Sequence, residues 1–374
     1  MASPPIKLFL CGDVMTGRGV DQILPRPCSP RLYERYVSSA LDYVGLAECA
    51  NGEIPEPATL SYIWGAALDE FERARPDVRI INLETSITHS ETRFPKGVNY
   101  RMSPENAGCL LAAGVNCCAL ANNHILDWGR AGLLDTLDTL ERLRIRTSGA
   151  GRNLAEAWAP AVFDIAGKGR ALVYSCASVT SGAPLAWAAQ PNAPGVALLP
   201  DSTERSVALI AGEISRERRE ADAVILSLHW GGNWGYDISE DERRFAHRLI
   251  DETRPAVLHC HSSHHPKGIE VYGNRLILYG CGDFLNDYEG ISGYEEFRGD
   301  LALMYFVEID ATSGDLVALE MTPLRIRRFR LVRPPDDDID WLRRTLDRES
   351  RKFGARVEAG PDGRFALSWS RTAA

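Results

Sequence analysis

Hydrophobic residues along the chain fall into short runs separated by amphipathic stretches. Ile6 to Cys11 is an apolar run that stops at Gly12, the pattern of a buried strand entering a turn. Residues 61–74 predict a helix, Val78 to Asn82 a strand, and Pro104 to Ala113 a helix opening on proline. Val115 to Leu120 predicts a further strand. Ala131 to Leu143 predicts a helix, because Leu133, Leu134, Leu137, Leu140 and Leu143 recur at helical spacing. The alternation continues with a strand near Ala171–Ser175, a helix at 202–220, a strand at Ala223–Leu228, a helix at 239–253 and a strand at Ala256–Leu258. The chain then turns β-rich, through Glu270–Tyr272, Leu276–Tyr279, Leu301–Ile309 and Leu316–Leu324, with a turn at Thr312-Ser313-Gly314-Asp315. Alternating β and α units followed by strands predict an α/β sandwich rather than an all-α or all-β fold.

Two segments depart from this rhythm. Residues 20–60 are rich in Pro and Tyr, show little periodicity and lie between two polar motifs, the pattern of a lid or substrate wall. From residue 332 a tail begins with Pro334-Pro335 and Asp336–Asp338, which predict a helix start. A helix to about Phe353 and a hairpin around Gly360–Gly363 complete it. The expected organisation is one domain over 1–331 and an appendage over 332–374.

Composition narrows the class. With 374 residues, 45% hydrophobic and 25% charged, the chain can bury a large core and is not disordered. A formal charge of −9 argues against a nucleic-acid or anionic-membrane partner. Nine Cys is an odd number, Cys117 and Cys118 are adjacent, and free thiols of a reducing compartment are expected. The N-terminal residues lack a signal-peptide pattern, and no window approaches the ~20 apolar residues of a membrane span, so a cytoplasmic location is expected.

The candidate chemistry collects at the ends of predicted strands, where open α/β sheets place their ligands. These ends supply Asp13, Glu84, Asn122-Asn123-His124 with Asp127, His229, and the group His259, His261, His264 and His265. One Asp after a strand is ordinarily a helix cap, and one His near a sheet is ordinarily a core residue. Five such ends together predict a shared pocket, in which a divalent cation offsets the repulsion and desolvation of the acidic groups. Carboxylate, amide oxygen and imidazole suit Ca, Mn, Mg, Zn or Fe.

In order and spacing, GDVMTGRG, INLETSIT, ALANNHILDWG, LSLHWGGNWGY, HCHSSHHPKGIEVYG and LILYGCGDFLNDYEGI resemble the CapA family of poly-gamma-glutamate synthesis proteins, part of the calcineurin-like metallophosphoesterase superfamily. The resemblance extends to about residue 331. It implies an αββα sandwich, two mixed sheets flanked by helices, with metal at one edge. It also places Asp13, Glu84, Asn123, His229, His261 and His264 on metal-ligand positions and His124 on the outer acid, with Asp127 and Asp283 as carboxylate partners. Four positions depart from the pattern: Met15 replaces the His of Asp-x-His, Glu84 a bridging Asp, Cys260 a Gly, and Asn233 an acidic residue. The loss of an imidazole at Met15 leads to the expectation of one tightly bound ion rather than a two-metal hydrolase.

One ion beside several free imidazoles suits acid–base chemistry. The chain is similar in this character to the lasso-peptide epimerase, which inverts the C-terminal residue of a ribosomal precursor peptide. The expected activity is therefore a metal-dependent peptide epimerase, with His124, Asp127, His264, Asp13 and Asp283 catalytic and a precursor-peptide C-terminus as partner. A phosphoester hydrolase and a CapA-like component of polymer biosynthesis are the alternatives. Arg18 and Arg101 are candidates to hold an anionic group, and Trp230, Trp234 and Tyr236 to line an aromatic substrate pocket.

Overall fold

The structure, a computed structural model, describes residues 4–370. Two β-sheets of eleven and seven strands stack face to face, with helices on both outer sides. In spatial order the first runs Arg146–Ser148, Cys117–Ala119, Val78–Leu83, Ile6–Leu10, Leu301–Ile309, Leu316–Ile326, Phe365–Trp369, Ala355–Ala359. The line of Ile6–Leu10 continues as Asp13–Val14, which pairs with Asp283–Leu285. The centre of the second sheet is parallel, with Gly169–Ser178, Ala223–His229, Val257–His261 and Arg275–Leu278 side by side.

Period-two alternation explains the layering. Ile6, Leu8 and Leu10 point between the sheets and meet Val173, Ile225, Val257 and Leu278. Phe9 and Cys11 turn to the other face and pack with Phe71, Leu133 and Leu140 from the outer helices. The second sheet does the same, sending Leu172, Tyr174, Leu226 and Leu228 outward against Ile210 and Leu249. Adjacent Cys117 and Cys118 therefore lie in different cores, one on each face of their strand. Each fully buried Leu, Ile or Phe in these layers contributes roughly 1.5–3 kcal/mol by removal from water. The α/β sandwich expected from the pattern is observed, in the αββα form that the family resemblance implied.

Two predicted helices are interrupted, and Pro104–Ala113 is a 3₁₀ turn, Pro104–Asn106, followed by a short helix, Gly108–Ala112. Residues 61–74 form a 3₁₀ turn, Tyr62–Trp64, and a separate helix, Ala67–Ala74. At Gly65 between them φ is +41°, and a Cβ there would lie 2.1 Å from the carbonyl oxygen of Leu331. The hydrophobic spacing carries across this break, but the backbone has to turn where another strand presses on it.

Segment 20–60 contains a helix, Leu41–Asn51, and anchors itself through Val20, Ile23, Leu24, Tyr43 and Val44 in the outer core. The tail forms a helix, Asp336–Arg351, and a hairpin of Ala355–Ala359 and Phe365–Trp369. Phe365 pairs with Met321, which widens the first sheet, and Leu342, Leu346, Val357 and Phe365 join the core between the sheets. Among the described residues no helix is long and apolar enough to cross a membrane.

Candidate metal centre

The strand ends named by the sequence meet at one edge of the sandwich. Gly12-Asp13 and Gly282-Asp283 run against each other, with the Asp13 N–H donating to the Gly282 carbonyl at 2.9 Å. A Cβ on Gly12 would sit 1.6 Å from that oxygen, so glycine is what lets the two aspartates approach. In the second sheet Ser227 is in register with His259, and His229 with His261. Alternation sends these four to the site-facing side, while Leu228 and Cys260 face the outer core.

Two sets of ligand atoms result, each within 4.8 Å of one another: Asp13, His229 and His261, and Asp13, His264 and Asp283. Asp13 belongs to both. Asn123 stands beside the first set, its Oδ1 3.1 Å from His229 Nε2. Where the family pattern has an imidazole, Met15 is buried and its sulfur accepts the Tyr288 hydroxyl at 3.5 Å. Asp283 brings a carboxylate oxygen to the centre from the neighbouring parallel strand.

The electrostatics fit a cation. Burial, then the neighbouring Asp283 carboxylate, pushes the Asp13 pKa up to about 7. Burial, then Asp13, raises that of Glu84. Glu84 Oε2 is buried without a hydrogen-bond partner. Three carboxylates share a water-poor space, and the available mix of carboxylate, amide oxygen and imidazole suits a hard or borderline divalent ion.

Two His–Asp pairs flank the carboxylates. His264 Nδ1 lies 2.8 Å from Asp283 Oδ1, and Asn286 donates to the other Asp283 oxygen at 2.7 Å. Burial alone would lower the His264 pKa, but Asp283 and Asp13 overcome it and the net shift is upward. His124 Nδ1 lies 2.6 Å from Asp127 Oδ2, and its Nε2 3.6 Å from Glu84 Oε1. Here burial wins and, with Lys96 opposing Asp127, lowers the His124 pKa to about 4. Lys96 Nζ is 2.7 Å from Asp127 Oδ1 and also donates to the Asn123 carbonyl. Without metal, His124 is thus a neutral imidazole, whereas Asp283 and Asp13 favour the protonated form of His264. Sequence reasoning missed Lys96, which sits in an aperiodic loop 31 positions before Asp127 and shows no pattern to mark it.

The centre opens into a cavity of about 870 Å³. Tyr100, Tyr288, Tyr294, Trp234, Asn233 and Asn286 line it, and segment 20–60 adds Glu34, Tyr36, Tyr43 and Asn51. Trp234, expected to line an aromatic pocket, does line the cavity and stacks on Tyr294 at 4.2 Å. Trp230 instead lies in the outer core, stacked on Tyr279, and Tyr236 packs edge-on to His265; neither lines the cavity. Arg18 does line it, but its guanidinium is held by both oxygens of Asp287 and by Glu34. Arg101 is outside the lining, bonded to Ser90 and Glu91 and placed 4.0 Å over the Trp128 ring.

Stacked sheets with clustered carboxylates and imidazoles at their strand ends define a calcineurin-like metallophosphoesterase fold. Within it the chain belongs to the bacterial capsule synthesis protein family PGA_cap, whose profile matches residues 7–288. It is 48% identical over 366 residues to a probable polyglutamine synthesis accessory protein of Mycobacterium tuberculosis, covering 97% of this chain and 96% of that one. It is 25% identical over 287 residues to the PGA biosynthesis protein CapA of Bacillus subtilis, covering 75% and 70% respectively. With the capsule biosynthesis protein CapA of Bacillus anthracis it shares 22% over 325 residues, or 86% and 68%.

Proposed function

We propose that this protein is a CapA-type accessory enzyme in the synthesis of a glutamate- or glutamine-derived polymer, acting at a carbonyl group of the polymer through a metal-assisted centre. The observation that carries the reading is the pair of ligand sets sharing Asp13, which reach the cavity through Glu84, Asn123, His124 and His264 beside the amides of Asn233 and Asn286 and the phenols of Tyr100 and Tyr288. The residues that would hold metal are Asp13, His229 and His261 on one side and Asp13, His264 and Asp283 on the other, with Glu84 and Asn123 adjacent. A divalent cation there supplies Lewis-acid polarisation of a carbonyl and a water of lowered pKa.

The cavity chemistry favours an amide over a phosphoester. Each arginine that lines it is committed to two carboxylates: Arg18 to Asp287 and Glu34, Arg298 and Arg325 to Asp300 and Asp338. A phosphate group would find no uncommitted arginine on the wall and would rest on the metal alone, whereas a peptide-like chain can also use Asn233, Asn286 and the tyrosines for hydrogen bonds. His124, kept neutral and fixed by Asp127, is placed to take a proton, and Asp127 in turn is held by Lys96.

The two His–Asp pairs also support a second reading, epimerisation of a peptide Cα by removal and return of a proton. Incubating metal-loaded protein in D₂O with glutamine and γ-glutamate oligomers, and separately with an aryl phosphate, divides the readings. Shortened or transferred oligomers are the expected result. Deuterium entering one Cα of an intact chain would select epimerisation, and turnover of the aryl phosphate alone would overturn the amide assignment. His124→Ala is expected to lower kcat by about 10²–10⁴-fold, the range of a lost general acid–base, with an unchanged circular dichroism spectrum.

A further inference from the structure

We propose that the hairpin tip Arg327–Arg330 is a docking surface for a chain that carries carboxylates, held beside the cavity. The choice of a polymer as partner rests on the reading of the metal centre given above; the binding itself does not.

Between residues 325 and 333 the chain has five arginines and no acidic residue, within a protein of formal charge −9. The outer two are committed, Arg325 to Asp300 and Asp338, and Arg333 to Glu70. The inner three are not: among the described residues, none of Arg327, Arg328 and Arg330 forms an ion pair. Arg327 and Arg328 are exposed and Arg330 is half-buried. Arg328 Nη1 reaches the backbone carbonyl of Glu53 at 3.5 Å, and the Arg330 guanidinium lies 5.5 Å over the Tyr62 ring. The buried Nε of Arg330 has no hydrogen-bond partner. Guanidinium groups left in this state pair readily with carboxylates, two N–H donors to one anion.

The backbone enforces the display. Leu316–Ile326 pairs with Leu331–Val332, Ile326 opposite Leu331, and the Arg327 N–H donates to the Arg330 carbonyl at 2.8 Å. Arg328 and Phe329 are left as the turn residues, at φ +58° and +52°. Such turns ordinarily take Asn-Gly, because other side chains are strained at positive φ. Two contacts impose it here. Glu289 accepts the N–H groups of Arg328 and Phe329 at 2.6 Å each, and Phe329 is fully buried in the outer core. Glu289 also accepts the Asn51 amide at 2.7 Å, so its carboxylate is spent on neutral donors beneath the turn.

Glu289, Asn51, Arg325 and Ile326 line the cavity, so the tip adjoins its wall. An anionic chain held there lies next to a cavity whose own arginines are already paired. A lipid surface fits less well. The apolar side chain of the tip is buried and cannot insert, and the overall charge of −9 repels an anionic bilayer.

The test is equilibrium binding of fluorescently labelled poly-γ-glutamate to the metal-free full chain in about 0.1 M salt, where distant charges are screened. The same polymer with its carboxylates amidated, and phosphatidylglycerol vesicles, are the comparisons. Wild type is expected to bind the carboxylate polymer, to release it at about 1 M salt, and to bind the amidated polymer more weakly by about tenfold or more. Replacing Arg327, Arg328 and Arg330 by Gln together is expected to weaken binding by about tenfold, the sum of three exposed charge contacts. Lys at the same three positions is expected to retain most of it. Arg144→Gln, Arg146→Gln and Arg219→Gln together remove three other exposed arginines and are expected to leave binding within about twofold of wild type. Equal losses in the two Gln variants, equal binding of the amidated polymer, binding of the vesicles alone, or no binding by wild type each overturn the proposal. Should the triple hairpin variant not fold, Arg327→Gln/Arg328→Gln decides, with an expected loss of about fivefold. Metal and turnover play no part in this measurement, so intact binding without turnover counts against the reading of the centre and not against the hairpin.

Discussion

Asp13→Asn is expected to abolish metal binding at both ligand sets, and with it turnover by about 10³-fold or more, the scale of losing a principal electrostatic stabiliser. The reason is geometric: Asp13 is the one residue common to the His229–His261 set and the His264–Asp283 set. His261→Ala and His264→Ala are each expected to lose one ion, so metal per chain read by elemental analysis separates Asp13→Asn, with none, from these two variants, with one each. Stability provides an independent sign. The Asp13 pKa in the metal-free fold is about 7, against a usual value of 3.8, so the folded chain holds that proton more tightly than the unfolded one. Its contribution is present below about pH 4 and is lost as pH rises towards 7. Metal-free wild type is therefore expected to lose thermal stability across that window more than Asp13→Asn does. With metal at 100 times Kd the order reverses: each bound ion adds about 2.7 kcal/mol to wild type and nothing to the variant. Equal metal content in the two proteins would refute the shared-ligand assignment.

Legibility of the site followed the direction of side chains along strands. His229 and His261 were readable because an apolar run ended in an imidazole on the edge that binds ligands. Trp230 is one residue further on, so it faces the opposite side and packs on Tyr279; proximity in sequence to His229 placed it wrongly in the cavity. Arg101 and Arg18 looked available because their partners, Glu91 and Asp287, are separated from them in sequence by distances no local pattern reports. Asp283 was visible as a carboxylate, but its approach to Asp13 depends on two glycines packed backbone to backbone across the first sheet. The same limit hid the pairing of the tail. Its helix and hairpin could be read locally, but the register of Phe365 on Met321 is a contact across 44 positions.

What fastens that tail is Glu70, and Glu70→Ala is expected to be the most destabilising single change outside the metal centre. This carboxylate is almost fully buried on the helix Ala67–Ala74 and is 2.8 Å from Arg73, 2.9 Å from Arg333 and 3.0 Å from Arg364. Thr322 donates to it from the strand that the hairpin joins. Arg73 and Arg333 can turn to water, but Arg364 is itself buried and would be left beside Asp362 alone. Stranding one member of a buried pair costs about 3–5 kcal/mol. For a chain this long, with unfolding entropy of roughly 2.1 cal/mol/K per residue, that corresponds to a Tm lower by about 4–6 °C. Glu70→Gln, which keeps the shape and loses the charge, is expected to fall between the two. Acid should reproduce the effect in wild type. Burial alone would raise the Glu70 pKa, but hydrogen bonds from Arg364, Arg73 and Arg333 overcome it and hold it at about 2, below the usual 4.5. The stabilisation is therefore complete above about pH 4.5 and disappears as pH falls towards 2. The Tm difference between wild type and Glu70→Gln should close over that interval, and a difference that stayed constant from pH 7 to pH 2 would mean that charge at Glu70 does not hold the hairpin to the sheet.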